Sequence, residues 1–410
     1  MSTAASTLAA PTSAPVTAKY NSAIGYLRAF IVALVVAHHT ALAYHQYAPP
    51  PPASLLAQPR WWTAFPIVDP HKWSGAALLV GFNDIFFMAL MFFLSGLFVW
   101  QGLAKKGAPT FLRDRLLRLG LPFLVAAGVL APLAYYPTYL QTSSHTDIAG
   151  YWHQWFALGY WPAGPAWFIW VLLAFDCIAA FLFLRAPQWG VKLGALTTKL
   201  ARRPIVFFAA LVAITAIVYL PMAHYFSSMA WIAIGPFFFQ TSRILLYFVY
   251  FLTGVGLGAA GMNQGLNQGL LAPGGKLARA WPWWTAGALL SFAVATGLAL
   301  AEVTGWSKSP ALSVAADAGF VVSCAATSLA FLAIFLRFAQ TRSAVCDSLA
   351  ANSYAIYLIH YGFVSWLQYA LLPASIPGVA KFFIVFPGAF FLSWATSATF
   401  RRIPAVARII

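Results

Sequence analysis

Two residues near the start of the chain have the types and spacing to act on one ligand, Arg28 and His39. In a helix, eleven residues at about 100° each come within about 20° of three whole turns, so both side chains lie on one face. His38 is displaced from that face by about 80°. A rise of about 1.5 Å per residue separates the two backbone positions by about 16 Å, too far for an ion pair but within reach of an extended ligand. An imidazole that titrates near neutrality is suited to act as general base toward a hydroxyl, and a guanidinium three turns away is suited to hold an anionic donor.

A second constellation is Arg113-Asp114-Arg115-Leu116-Leu117-Arg118. Arg115 and Arg118, three apart, project from neighbouring positions of one helix face, where two guanidinium forks can grip phosphate. Ordinary basic anchoring at a membrane surface explains the same residues, and nothing local separates the two readings. Further ionisable residues lie inside long apolar runs: His38, Asp84, Asp176, Arg243, Asp317 and His360. Such residues mark a polar cavity or substrate path, or they join helices by hydrogen bonds. Arg243 has two candidate roles, neutralising Asp84 or Asp317, or binding an anionic acyl group. Ser95-Gly96, Gly254, Gly256 and Gly258 read as close helix contacts, since no base neighbours Ser95 in sequence. Cys177, Cys324 and Cys346 have neither metal spacing nor a disulfide framework, and no metal is expected. Gly275-Lys276 is followed by leucine and does not complete a phosphate-binding loop.

These residues are carried by a chain of 410 residues that is 61% hydrophobic, 17% aromatic and 8% charged, with mean hydropathy +0.77. A soluble domain carries about 25% charged residues, so the solvent here is a bilayer and the class is an all-α polytopic membrane protein. Runs of about 20 apolar residues give ten expected spans, beginning near Ser22, Gly75, Leu116, Ala166, Pro204, Pro236, Trp281, Ala311, Leu349 and Phe382. With both termini cytoplasmic, 19 of the 24 Lys and Arg fall inside; Arg60, Lys72, Lys308 and Lys381 fall outside, and Arg243 lies within a span. The net charge of +16 thus serves topology and anionic lipid, and no motif supports a nucleic-acid partner. With the first span starting near Ile24, His39 lies about 22 Å up, in the outer half of the core.

The expected organisation is a disordered tail at 1–20, rich in Ser, Thr, Ala and Pro, a ten-helix domain at 21–403 and a short cytoplasmic tail at 404–410. Ala41-Leu42-Ala43 resembles a signal-peptide cleavage site, but His38 and His39 interrupt the apolar region before it. Outer loops are expected at about 46–74, with Pro49 to Pro52, Trp61, Trp62 and Trp73, and at about 137–162, with His145, Asp147 and His153. The tandem Asn-Gln-Gly-Leu of residues 263–270 reads as a flexible linker.

Taken in order, the motifs resemble the acyltransferase-3 family of integral membrane acyltransferases: Tyr26-Leu27-Arg28 through His39, Met91-Phe92-Phe93-Leu94-Ser95-Gly96, Arg115-Leu-Leu-Arg118, Trp167-Phe168-Ile169-Trp170, and Ser353-Tyr354-Ala355-Ile356-Tyr357-Leu358-Ile359-His360. The resemblance implies transfer of an acyl group, of acetyl or succinyl type, from cytoplasmic acyl-CoA to a hydroxyl of a carbohydrate or similar acceptor at the outer face. By that resemblance Arg28 orients the donor, His39 is general base or transient acyl carrier, and Arg115 with Arg118 binds coenzyme A phosphates. The paired histidines and compact chain are similar to glucan-modifying succinyltransferases, implying a glucan-like acceptor and a bacterial inner membrane. Pro165-Ala166 depart from the polar residue that relatives often place before Trp167. A proton-coupled transporter or flippase would use the same intramembrane His, Asp and Arg, although no repeat of broken helices in matching halves is evident. A membrane scaffold is a third class, in which these residues would be replaceable. Oligomeric state is not legible.

Overall fold

The computed structural model describes residues 21–142, 147–260, 269–305 and 309–410. The tail at 1–20, His145, Lys308 and most of the 263–270 repeat lie outside the described residues. The chain is helical almost throughout, in the order α1 (Ser22–Leu42), α2 (Ser74–Gly96), α3 (Val99–Lys106), α4 (Ala108–Arg115), α5 (Leu121–Val125), α6 (Ala131–Thr142), α7 (Ile148–Phe156), α8 (Trp167–Arg185), α9 (Trp189–Ala201) and α10 (Pro204–Phe226). A hairpin follows, β1 (Trp231–Ile234) antiparallel to β2 (Phe237–Gln240), with Trp231 opposite Gln240 and Ile234 opposite Phe237. Then come α11 (Ile244–Ala260), α12 (Lys276–Arg279), α13 (Trp281–Val303), α14 (Pro310–Phe338), α15 (Ala344–Ala370), α16 (Gly378–Phe400) and α17 (Pro404–Ala407).

Among the described residues nine stretches are long and apolar enough to cross a membrane. The remaining expected span, the ninth in order, corresponds to α15, whose 27 residues rise about 40 Å and are also long enough. It falls outside the nine because Asp347, Asn352, Ser353, His360 and Gln368 lower its hydropathy. Large apolar side chains such as Trp283 (81% exposed) and Ile217 (72%) point outward from the bundle, as lipid contact requires. The protein is an all-α polytopic membrane protein.

Helix α1 lies in the middle, packed on α2, α14, α15 and α16, while α15 also packs on α6 and α16. Helix α11 packs on α2, α9 and α10, and α13 is the outermost, touching chiefly α14. The approach of α2 to α11 depends on glycine. A β-carbon at Gly254 would collide with the Phe93 carbonyl, one at Gly258 with the Leu97 carbonyl, and one at Gly96 with the Phe251 carbonyl. Ser95 Oγ donates to the Met91 carbonyl of its own helix, so this segment is packing, as its sequence indicates.

Several boundaries differ from expectation. The sixth span begins at Thr241 instead of Pro236, because the Gly235-Pro236 turn closes the hairpin, and Arg243 therefore stands at the entry of α11 instead of a third of the way along it. The third span runs Ala108–Thr142, so Arg115 and Arg118 lie within it, Arg115 just before and Arg118 inside the first of two wide i→i+5 turns, Leu116–Gly120 and Ala126–Leu130. Lys381, expected in an outer loop, is in the first turn of α16 and fully buried. The 404–410 segment opens with the helical turn α17.

Segments that charge assigns to one side meet at one end of the bundle. There Ser22 Oγ donates to the Ala339 carbonyl (3.0 Å), Tyr26 Oη to Asp347 Oδ1 (2.7 Å), and Arg342 pairs with Asp347 (3.1 Å). At the other end Lys381 Nζ pairs with Asp69 Oδ2 at 2.6 Å, and Asp69 N–H donates to the Ala43 carbonyl (3.0 Å), which fastens the 43–73 loop to α1 and α16.

Candidate functional site

Helices α1 and α15 run side by side in the same direction, and the candidate residues follow that seam. Arg28 Nη2 donates to the Ala350 carbonyl of α15 (3.3 Å). Ten residues further along α15, His360 Nε2 lies 3.2 Å from His39 Nδ1. The expected face shared by Arg28 and His39 is therefore the face turned toward α15. Tyr354, one turn above Ala350, donates its hydroxyl to the Arg118 carbonyl (2.7 Å). One helix thus gathers Arg28 and Arg118 at one end and His39 toward the other.

Backbone carbonyls fix the protons of both imidazoles, because a carbonyl only accepts. His39 Nδ1 is 2.8 Å from the Val35 carbonyl and His360 Nδ1 is 2.7 Å from the Tyr357 carbonyl, so each Nδ1 carries the hydrogen. His360 Nε2 then presents a lone pair to the His39 Nδ1–H, and His39 Nε2 is left unprotonated and basic. The edge of Tyr361 stands against the His39 ring (5.1 Å between centroids), with its hydroxyl 3.4 Å from that of Tyr135. Tyr135 in turn donates to the Thr63 carbonyl of the outer loop (2.9 Å). Gln368 Nε2 donates to the carbonyls of His39 and Thr40, at 3.1 and 3.0 Å, where α1 ends.

His38 lies beside His39 (ring centroids 5.3 Å apart), packs at a tilt on Phe87 (5.1 Å), and has no hydrogen-bond partner at Nδ1. Asp84 is close enough to His38 to act on it electrostatically. Arg243 binds Asp84 twice, Nη2 to Oδ2 at 2.7 Å and Nη1 to the backbone carbonyl at 3.0 Å, and packs its guanidinium on Phe320 (4.5 Å). Of its two candidate roles the structure therefore shows the neutralising one, with Asp84 as partner. The Asp84 side chain keeps 41% of its surface. Asp317 accepts from Tyr219 Oη at 3.2 Å instead of pairing with Arg243. His45 contributes an imidazole on the loop side, its protonation disfavoured by burial and by Lys72.

The arginine pair is divided in its surroundings. Arg115 packs over Phe111 (4.9 Å) and its Nε lies 3.1 Å from Oδ2 of the fully buried Asp176 on α8. That contact is an ion pair off the line of a hydrogen bond, so both Asp176 oxygens lack a donor. Arg118 is exposed, and its backbone carbonyl accepts from Tyr354.

The structure thus joins His360, His39, His38, Asp84 and Arg243 in one connected group, brings Asp317 to its edge, and places Arg28, Arg115 and Arg118 lower, toward the opposite end of the α1–α15 seam. The partners that sequence reasoning did not assign are Tyr354, Tyr361, Gln368 and the backbone carbonyls. The aromatic and polar content of the α15 motif was the only available signal for the side chains.

The sequence matches the acyltransferase-3 family, described as an acyltransferase domain, over residues 21–398. The chain belongs to that family. No curated protein and no solved structure matches it. The acyltransferase domain of this membrane protein thus occupies nearly the whole chain, and the α1–α15 seam is the candidate site within it.

Proposed function

We propose that this acyltransferase takes an acyl group, of acetyl or succinyl type, from cytoplasmic acyl-CoA and delivers it to a hydroxyl of a carbohydrate or similar acceptor at the outer face of a bacterial inner membrane, with both chain termini cytoplasmic. The observation that carries this reading is the α1–α15 seam, with Arg28 and the Arg118 segment at one end and a basic His39 Nε2 about 16 Å away along α1. An extended thioester donor fits that separation. Arg115, steadied by Asp176, and Arg118 hold the phosphates, and Arg28 orients the donor arm. His39 Nε2 takes the acceptor's hydroxyl proton as its oxygen bonds to the thioester carbonyl carbon. The carbon–sulfur bond then breaks, and the same proton returns to the departing thiolate. A transient acyl-histidine would require the same residues. A glucan-like acceptor is the reading implied by the paired histidines and the compact chain.

The test is binding of coenzyme A, acetyl-CoA and succinyl-CoA to the purified protein, alongside transfer assays on Arg118→Ala and His39→Ala. Arg118→Ala should weaken donor binding, and His39→Ala should abolish transfer while donor binding survives. Folded wild-type protein that binds no donor would defeat the reading, as would full activity in His39→Ala.

A further inference from the structure

We infer that His360 is the positioning residue of the base, a neutral imidazole whose Nε2 lone pair accepts the His39 Nδ1–H and thereby steadies the charge His39 acquires when it takes a proton. The inference rests on the acyl-transfer reading above and assigns a role within it. His360 is fully buried, on a helix whose other polar groups are also turned inward. Its own Nδ1–H is committed to the Tyr357 carbonyl at 2.7 Å, so its Nε2 has no proton to give and can only accept. The donor facing that lone pair is His39 Nδ1–H, 3.2 Å away and shared with the Val35 carbonyl at 2.8 Å.

The arrangement has a direct chemical consequence. When His39 Nε2 accepts the acceptor's proton, positive charge spreads to Nδ1–H, and both of its acceptors strengthen without any movement. A carboxylate in the place of His360 would stabilise the imidazolium more, and would also raise the pH below which His39 is already protonated. A neutral imidazole leaves the base unprotonated until the hydroxyl arrives. The charged or titratable groups around His39 are His38 on α1, His360 and Tyr361 on α15, and Tyr135 on α6 through Tyr361. Asp84 on α2, Arg243 at the entry of α11 and His45 of the outer loop act through His38. None of these presents an acceptor to His39 Nδ1, which leaves that role to His360 and Val35.

Full-length protein in nanodiscs, as wild type, His39→Ala, His360→Ala, His360→Gln and His360→Glu, would be assayed for donor binding and for transfer rate against pH. His360→Ala should bind donor normally and lose about ten- to a hundredfold in kcat, the loss of one hydrogen bond to a developing charge. His360→Gln, which returns an acceptor oxygen near the Nε2 position, should restore most of the rate. His360→Glu should move the acid limb of the rate profile up by about one to three pH units, because a carboxylate beside His39 favours its protonated, inactive form. Equal rates in His360→Ala and wild type, or an unmoved limb in His360→Glu, would overturn the inference while a dead His39→Ala keeps the acyl-transfer reading. Should no transfer be detected in any variant, the functional reading fails. The pairing is then judged on ¹⁵N-histidine spectra: a coupling across the hydrogen bond between His39 and His360 supports it, and its absence overturns it.

Discussion

Replacing Lys381 by methionine should destabilise the protein by about 3 kcal/mol, the lower end of the 3–5 kcal/mol typical for breaking a buried ion pair. The ammonium and its partner Asp69 are 0% and 1% exposed and 2.6 Å apart, so removal of the lysine strands a carboxylate that water does not reach. The lower end applies because Asp69 Oδ1 keeps other donors: the His71 backbone N–H at 2.8 Å, with the His71 ring Nδ1 at 3.2 Å. A loss of about 3 kcal/mol shifts the folding equilibrium by more than a hundredfold. Asp69→Asn combined with Lys381→Met removes the stranded charge and should recover most of that loss. The assay is unfolding by titration with sodium dodecyl sulfate in mixed micelles, followed by tryptophan fluorescence, on the two single variants and the double. A single-variant cost below about 1 kcal/mol would refute the reasoning, since it would mean that the lysine reaches water as surface pairs do.

Two further outcomes follow from the packing and the arginine pair. Gly254→Leu should unfold or misassemble the bundle, because its side chain would enter the Phe93 carbonyl, whereas Gly287→Leu, with open space at its β-carbon, should be tolerated; comparable yields of monodisperse protein for both would refute the α2–α11 contact. Asp176→Asn should raise the KM for acyl donor about tenfold with little change in kcat, because Arg115 loses the charge that orients its guanidinium; an unchanged KM, measured by thiol release, would return Arg115 to membrane anchoring.

Periodicity and charge sufficed for the helices whose function is to meet lipid, and for the shared face of Arg28 and His39. They failed where tertiary contacts decide. The Trp231–Gln240 hairpin is as apolar as a span, and only the Gly235-Pro236 turn distinguishes it, so the start of α11 and the position of Arg243 were misplaced. Lys381 reads as an outer anchor because sequence contains no sign that Asp69, 312 residues away, awaits it. The partner of His39 was named as a candidate without its role, since the facing of α1 and α15 is not encoded in either helix alone.

The helix least suited to lipid is the one that organises the site. Ser353, His360, Ser365 and Gln368 would each be costly against hydrocarbon, yet on α15 they are buried against protein. Two of them meet groups of α1 that a purely apolar helix would leave unmet: Gln368 satisfies the carbonyls of His39 and Thr40, and His360 meets the His39 Nδ1–H. The reduced hydropathy that separates α15 from the nine clear spans therefore comes with the polar groups that meet the end of α1. Lipid-facing helices such as α13 carry no such obligation, and their polar residues are correspondingly few. In this membrane acyltransferase the weakest span by composition thus marks the candidate site.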